Sequence, residues 1–354
     1  MTTELSDSGV MFADGSRIAS ARELSHVNDI INGEFRVAQN GTSFPAPVAG
    51  SYDLDGWLSD RSGATVFTVA QVAGSSAGRL ARRVTITTAS GAVGVANAAI
   101  DVTLIEGYDI EKYVGNTFTI GFRAMVPVAG IHCVALRSGG GDRAYVKEIN
   151  FPTANVYQNC SFTVVGGLPT AGTWNYTNGA GMSVNFLHMA GTQFHTTTPE
   201  VWTVGSLIAT ANQVNDCATI GNVWAMEKVT LNLGTVAAVS EITFADDLRK
   251  CQRYLPVVAV TEYSYTGMVF TSSNARCFVT FPVQARVPPT GFTVTGAIGM
   301  SNAGGGSVGV ITFGNASLLS ASISAVNLSG LVSGNATSLV CIGMVFVLFT
   351  GCRL

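Results

Sequence analysis

Between residues 64 and 244 the chain repeats one pattern: short apolar or alternating runs separated by Gly, Asn and Pro. The runs are V-F-T-V-A-Q-V at 66–72, R-R-V-T-I-T-T at 82–88, A-I-D-V-T-L-I at 99–105 and F-T-I-G-F-R-A-M-V at 118–126. I-H-C-V-A-L at 131–136, N-C-S-F-T-V-V at 159–165, S-V-N-F-L-H-M at 183–189, V-W-T-V at 201–204 and V-T-L-N-L-G at 229–234 continue it. Each has the length and period of a β-strand, and such spacing predicts a sandwich or barrel. No heptad and no βαβ alternation interrupts it. One helix is predicted, over 245–254, where A-D-D-L-R-K-C-Q-R-Y places acidic residues in the first turn, basic residues later and Pro256 as a stop.

Ahead of this region, 28–57 reads as an apolar start (Ile30, Ile31), a turn at Asn32-Gly33, a strand carrying Phe35 and Val37, and a second turn at Asn40-Gly41. Asn-Gly tolerates positive φ, so a hairpin-like entry is expected. After Pro256, V-V-A-V-T, G-M-V-F-T and A-R-C-F-V-T-F-P-V read as strands ending at R-V-P-P-T. Residues 296–338 are rich in Gly, Ser, Ala and Asn, but alternation in V-G-V-I-T-F and S-I-S-A-V-N-L favours thin strands over linker. A last strand is expected over 339–349. The domains are therefore an arm at 1–27, a sandwich at 28–255 that includes the helix, and a second β domain at 256–354.

Composition changes this picture in one direction. Only 12% of the 354 residues are charged and the net charge is −3, against about a quarter charged in an ordinary soluble domain. Nucleic acid is not an expected partner, since binding it needs clustered Lys and Arg. A surface so poor in charge, with mean hydropathy +0.36, points to burial against other chains, as in obligate interfaces. The longest apolar run, 339–349, is about half a spanning helix; no membrane insertion is expected. The N-terminal M-T-T-E-L-S-D-S-G lacks the basic and apolar regions of a secretory signal. The seven cysteines, scattered without CxxC spacing, are expected to be reduced core residues of a protein made in a cytoplasm.

Asn32-Gly33-Glu34-Phe35, the Gly41-Thr42-Ser43 stretch and Asp55-x-Trp57 resemble the opening of the carbohydrate-binding-module-like jelly-roll domains of phage tail-fibre and related virion proteins. Gly56 departs from that pattern, which has a basic residue between Asp and Trp. The central I-E-K-Y-V-G-N-T-F-T-I-G-F-R-A at 110–124 and the closing D-L-R-K-C-Q-R-Y at 247–254 match the same family in order. F-V-T-F-P-V-Q-A-R-V-P-P-T at 278–290 resembles the segment that follows, and F-A-D-G-S at 12–16 resembles an N-terminal element of phage tail proteins. The resemblance implies an all-β chain: a jelly-roll β-sandwich, a short helix and a C-terminal β domain that drives trimerisation. It also implies a virion protein, assembled in the host cytoplasm and joined to other virion proteins through 1–27. Host-surface glycan recognition as a tail-fibre or receptor-binding component is the expected role; a capsid decoration or head-fibre protein is the alternative.

Catalytic and metal constellations are not legible. His26, His132, His188 and His195 have no metal-ligand spacing, S-G-G-G-D at 138–142 lacks the Lys-Ser/Thr of a phosphate loop, and there is no G-x-S-x-G elbow. The carboxylates Asp53, Asp55, Asp101, Asp109, Glu111 and Asp142 cannot be paired from sequence as glycan hydrolysis requires. No enzyme activity, cofactor or metal is expected. Non-catalytic sugar binding needs less, an aromatic face with polar neighbours. Trp174 and Tyr176 in G-T-W-N-Y-T-N-G, with His195 and Trp202 in Thr-rich stretches, are the candidate ligand-binding residues. Trp57, Trp202 and Trp224 each also read as core residues capping the sandwich.

Overall fold

The computed structural model describes residues 5–6, 9–11, 17–18, 28–237, 242–261, 264–302, 305–307, 310–326, 331–341 and 344–354. Three short antiparallel strands, β1 (Leu5–Ser6), β2 (Gly9–Met11) and β3 (Arg17–Ile18), belong to the N-terminal segment. The attachment role expected of 1–27 otherwise lies outside the described residues. The chain divides into two compact units, Met1–Phe244 and Ala245–Leu354.

The first unit is the jelly-roll sandwich. Its strands are β4 (Ser43–Pro45), β5 (Ser51–Tyr52), β6 (Trp57–Arg61), β7 (Val66–Ala73), β8 (Leu80–Thr88), β9 (Ala98–Glu106) and β10 (Phe118–Met125). They continue with β11 (Gly130–Ser138), β12 (Arg143–Phe151), β13 (Gln158–Val164), β14 (Ala180–Ala190), β15 (Thr203–Val204) and β16 (Val223–Leu233); α1 (Gly107–Ile110) is a single turn after β9. One sheet runs β13-β10-β16-β8-β7-β4 and the other β15-β12-β11-β14-β9-β6-β5, with antiparallel pairing between neighbours. Alternate residues of both sheets meet in one core: Phe67 and Val84 from one, Trp57, Val134, Leu136 and Phe186 from the other. Trp57 lies 5.0 Å from Phe35 and 6.0 Å from Phe186, ring centre to ring centre, which is how the opening stretch is locked to the sandwich.

That opening stretch is not a hairpin. Residues 30–34 form a turn with no strand on either side, because the Asn32 side chain supplies what a second strand would. Its Oδ1 accepts from Val37 N (2.9 Å), and its Nδ2 donates to Val37 O (2.8 Å) and Asp55 O (2.9 Å). Asn32 sits at φ +52°, a conformation Asn adopts more readily than most residues. Gly33 then lies against β16, its carbonyl accepting from Val229 N at 2.8 Å.

The core between the sheets also holds buried charge. The Arg82 guanidinium, fully buried, donates to Asp53 from Nη2 (2.7 Å) and Nε (3.1 Å), to Ser59 Oγ (2.6 Å), and pairs with Asp101. Burial works against its charge, but the two carboxylates outweigh it and raise Arg82 above its ordinary value. Asp101 is likewise held low: burial opposes this, while Arg82 and then His188, 3.3 Å away, favour the anion. Trp224 packs between His188 and His132 at 5.1 and 5.5 Å, and His132 Nε2 contacts both Asp216 oxygens at 3.0 Å.

The second unit begins with α2 (Phe244–Tyr254), one residue from its expected start. Arg286 N donates to Arg253 O and Phe349 N to Pro256 O, so the helix belongs with this unit and not, as expected, with the sandwich. Its strands are β17 (Val257–Val260), β18 (Ser264–Thr271), β19 (Asn274–Thr280), β20 (Gly291–Val294), β21 (Ile298–Asn302), β22 (Gly305–Ser307), β23 (Val310–Ala316), β24 (Ser320–Val326), β25 (Ala336–Cys341) and β26 (Val345–Thr350). They form a β17-β26-β20 sheet and a β22-β21-β25-β18-β19-β24-β23 sheet. The Gly/Ser-rich region is thus largely strand. The single last strand expected over 339–349 is two strands in different sheets. Buried Val260, Val269, Cys277, Ile323, Leu339 and Phe349 belong to this unit's own core. All seven cysteines are free, with burial pushing Cys217 and Cys277 up to about 12.

Candidate functional site

Strand β9 is buried on both faces. Ala99 and Ile105 point into the sandwich, whereas Ala98, Ile100, Val102 and Leu104 face outward and form a second cluster with Cys133, Ala135, Val146 and Leu187. A sheet apolar on its outer side must be covered, and residues 191–215 do this. A 3-10 turn at Thr192–Phe194 starts the segment, Phe194 O accepts from the amides of Ile208 and Ala209, and β15 pairs with the edge of β12. Phe194, Ile208 and Ala209 pack on the outer cluster.

The cover is incomplete. Beside it remains an open cleft of about 160 Å³ with Ile100, Ile208 and Phe194 as apolar wall and Asp60, Arg137 and Ser206 as polar groups. Arg137 Nη2 donates to Ser206 Oγ at 2.6 Å. Its Nε is buried without a hydrogen-bond partner among the described residues, a costly arrangement unless a ligand or water accepts from it. Burial lowers the Arg137 guanidinium, and nearby Asp60 opposes that. A guanidinium, an exposed carboxylate and an apolar wall together suit a polyhydroxylated ligand with an apolar face. Among the described residues Asp60 is the carboxylate that lines the cleft.

The four aromatic and histidine candidates do not converge on one surface. Trp174 is buried, 9% exposed, and Trp202 half-buried; their rings meet edge to face at 5.6 Å, and Trp202 tilts against Tyr145 at 5.6 Å. Both indole N–H groups are satisfied internally, Trp174 by Ala171 O (3.2 Å) and Trp202 by Gly167 O (2.9 Å). His195 hydrogen-bonds Ala190 O at 3.1 Å and bridges to Ala209, anchoring the cover. Tyr176 is 43% exposed. Phe194, the neighbour of His195, was not singled out in the sequence, nor were Asp60, Arg137 and Ser206. No clear signal was available: in A-I-D-V-T-L-I the even positions Ile100, Val102 and Leu104 are apolar while the odd ones carry Asp101 and Thr103, an alternation that reads as a strand covered on one side only.

Four of the six carboxylates raised by the sequence have structural roles. Asp53 and Asp101 flank Arg82, and Asp55 accepts from Gln39 N (2.7 Å) and Nε2 (2.8 Å). Asp142 closes the β11–β12 loop, accepting from Thr173 N at 2.9 and 3.0 Å and from Ser138 Oγ at 2.8 Å. Those donors, the Thr173 amide foremost, hold it at about 2. Among the described residues no group of His, Cys, Asp or Glu is arranged to hold a metal ion.

No family model and no curated sequence matches the chain. Among solved structures it is similar to the enzymatically active domain of bacteriophage CBA120 tailspike protein 4, at 17% identity and TM-score 0.31 over 59% of this chain and 22% of that one. A family 11 carbohydrate-binding module of Clostridium thermocellum gives 10% and 0.32 over 56% and 98%. The tandem CBM22 domains of Paenibacillus barcinonensis Xyn10C give 10% and 0.28 over 95% and 100%. The all-β architecture of this chain, a jelly-roll sandwich followed by a short helix and a second β domain, stands on its own strands and sheets.

Proposed function

We propose that this chain is a non-catalytic glycan-binding protein whose sugar site is the cleft on the outer face of the β15-β12-β11-β14-β9-β6-β5 sheet. The observation that carries the reading is the Phe194–Ile208 wall beside Asp60 and the Arg137 guanidinium, whose Nε has no hydrogen-bond partner among the described residues. A pyranose ring lays its apolar face on such a wall and its hydroxyls accept from the guanidinium and donate to the carboxylate. Tyr176 does not line this cleft, and Trp174 and Trp202 brace loops against each other.

The motif pattern in the sequence supports a virion component of a tailed phage, recognising host-surface glycan from the tail. Self-association, as a trimer, is supported by the scarcity of charge and by the C-terminal unit, where Met268, Phe270 and Phe278 stand 46%, 42% and 57% exposed. The test is a bacterial surface-glycan array probed with the wild-type chain and with Arg137→Gln and Phe194→Ala. Binding that both substitutions lower at least tenfold is the expected result; binding unchanged in both, or absent from wild type, overturns the cleft assignment. Locating the chain in an intact particle tests the remainder, a tail position supporting receptor recognition and a capsid position replacing it with decoration.

A further inference from the structure

Strand β16 changes partners along one edge. Val223, Trp224, Ala225 and Met226 pair with Thr85, Val84, Arg83 and Arg82 of β8. From Val229 onward the opening stretch takes over, through Val229 N to Gly33 O (2.8 Å) and Asp29 N to Leu231 O (3.1 Å). Between the two lie Glu227 and Lys228. On the opposite edge, Arg123 pairs with Lys228 and Ala124 with Met226, so Glu227 is the extra residue of a β-bulge. Bulges of this kind re-aim side chains and are common beside functional sites.

A pocket of about 330 Å³ opens at this gap, lined by Glu34, Arg36, Arg79, Leu80, Glu227 and Lys228 with the Ala77-Gly78 turn. That volume is at the lower end of the range of about 300–1,000 Å³ for small-ligand sites. Two of its carboxylates are already engaged. Glu227, its side chain fully buried, accepts from Ser75 Oγ (2.8 Å) and Arg123 Nε (3.0 Å), and Glu34 pairs with Arg36 at 3.0 Å. Arg36 also donates from Nη2 to Ile242 O at 2.6 Å. Arg79 and Lys228 have no side-chain hydrogen bond or ion pair among the described residues. Burial lowers the Lys228 ammonium, Glu34 opposing and the positive charge of Arg79 adding to the effect; the two cations repel each other across the pocket.

We propose that this gap binds the carboxylate of an acidic sugar residue, held between Arg79 and Lys228. Three cations against two carboxylates leave one net positive charge among the lining side chains, which suits a monoanion; a phosphate dianion would meet Glu34 and Glu227 with charge to spare. Leu80 supplies an apolar contact for the ring. The sugar half of this assignment rests on the glycan-binding reading, whereas the carboxylate half stands on the charges alone.

The experiment is saturation-transfer NMR on the full chain with D-glucuronate as probe, D-glucose as its neutral counterpart, and acetate and inorganic phosphate as competitors. Saturable glucuronate binding, at least tenfold tighter than glucose and displaced by acetate more readily than by phosphate, is expected. Arg79→Gln/Lys228→Gln should weaken it at least tenfold with an unchanged melting temperature, and Arg137→Gln in the cleft should leave it intact. Equal binding of glucose, preference for phosphate, or full binding by the double variant overturns the proposal. Acetate binding without glucuronate binding removes the sugar and leaves the anion site, and loss on Arg137→Gln returns the sugar to the cleft.

Discussion

Arg82 is the residue whose loss the sandwich should tolerate least. Two buried carboxylates, Asp53 and Asp101, depend on its guanidinium, and stranding a buried charge costs about 3–5 kcal/mol. Arg82→Met is therefore expected to lose stability of that order in denaturant titration, and adding Asp53→Asn and Asp101→Asn should recover part of it. Asp142 makes a different prediction. Its folded value of about 2 lies below the usual carboxylate value of about 4, so its contribution is complete above the unfolded value and disappears as pH falls through the folded one. Asp142→Asn should flatten the stability curve between about pH 4 and pH 2 and leave its shape above pH 5 unchanged; an unaltered acid limb would contradict the assignment. Asp216 has the opposite sign: burial raises it despite His132, so its contribution is lost as pH rises. None of this was legible in the sequence, where Asp53, Asp101 and Asp142 were unpaired carboxylates. Arg82 finds Asp53 and Asp101 at separations of 29 and 19 residues in the chain, and it is the packing of β8 in one sheet against β9 and the β5–β6 turn of the other that brings them together.

At the scale of elements, most strands and the one longer helix were legible, because alternation and turn residues act locally. The opening stretch was not, because Asn-Gly is compatible with a hairpin and with the side-chain-capped turn that forms. What decides between them is β16, nearly 200 residues away. A Cβ on Gly33 would lie 2.3 Å from Val229 O, a backbone atom that has no room to yield. Gly33→Ala is expected to cost about 1–3 kcal/mol through overpacking and to disturb the mouth of the pocket beside Lys228. Gly50 offers the comparison, since a Cβ there meets nothing within 4 Å and only its φ of +72° resists substitution; Gly50→Ala should cost about 1–2 kcal/mol and leave ligand binding untouched. Thermal unfolding of the two variants, paired with glucuronate titration, separates these effects. The cover over the outer sheet face was hidden for a related reason. Its 191–215 segment has little regular structure, and the alternation of Ile100, Asp101, Val102, Thr103 and Leu104 in β9 reads as a strand with one covered face.

For the whole molecule, composition carries an expectation of self-association. Few charges and high hydropathy imply surfaces meant for other chains, and the C-terminal unit exposes Met268 and Phe278 on adjacent antiparallel strands that also carry the exposed Phe270. Phe278→Asp should shift the wild-type assembly towards monomer in light scattering while leaving far-UV circular dichroism unchanged; a wild type that is already monomeric removes the interface from this face. The division into two β units was visible as a change of composition after Pro256. Its boundary was displaced by one helix, because hydrogen bonds from Arg286 and Phe349, not local sequence, decide which unit owns 245–255.

The free cysteines carry a consequence for the life of the particle such a protein would join. Burial raises Cys133, Cys160, Cys217, Cys277 and Cys352, so few of these thiols ionise near neutral pH, and the thiolate is the species that oxidises or exchanges. Alkylation by iodoacetamide at pH 8 should accordingly be slow for the folded chain and rapid once it is denatured. With no cross-link to form or lose, the covalent chain is the same in a reducing environment as in an oxidising one. A molecule built this way can be finished in one and used in the other.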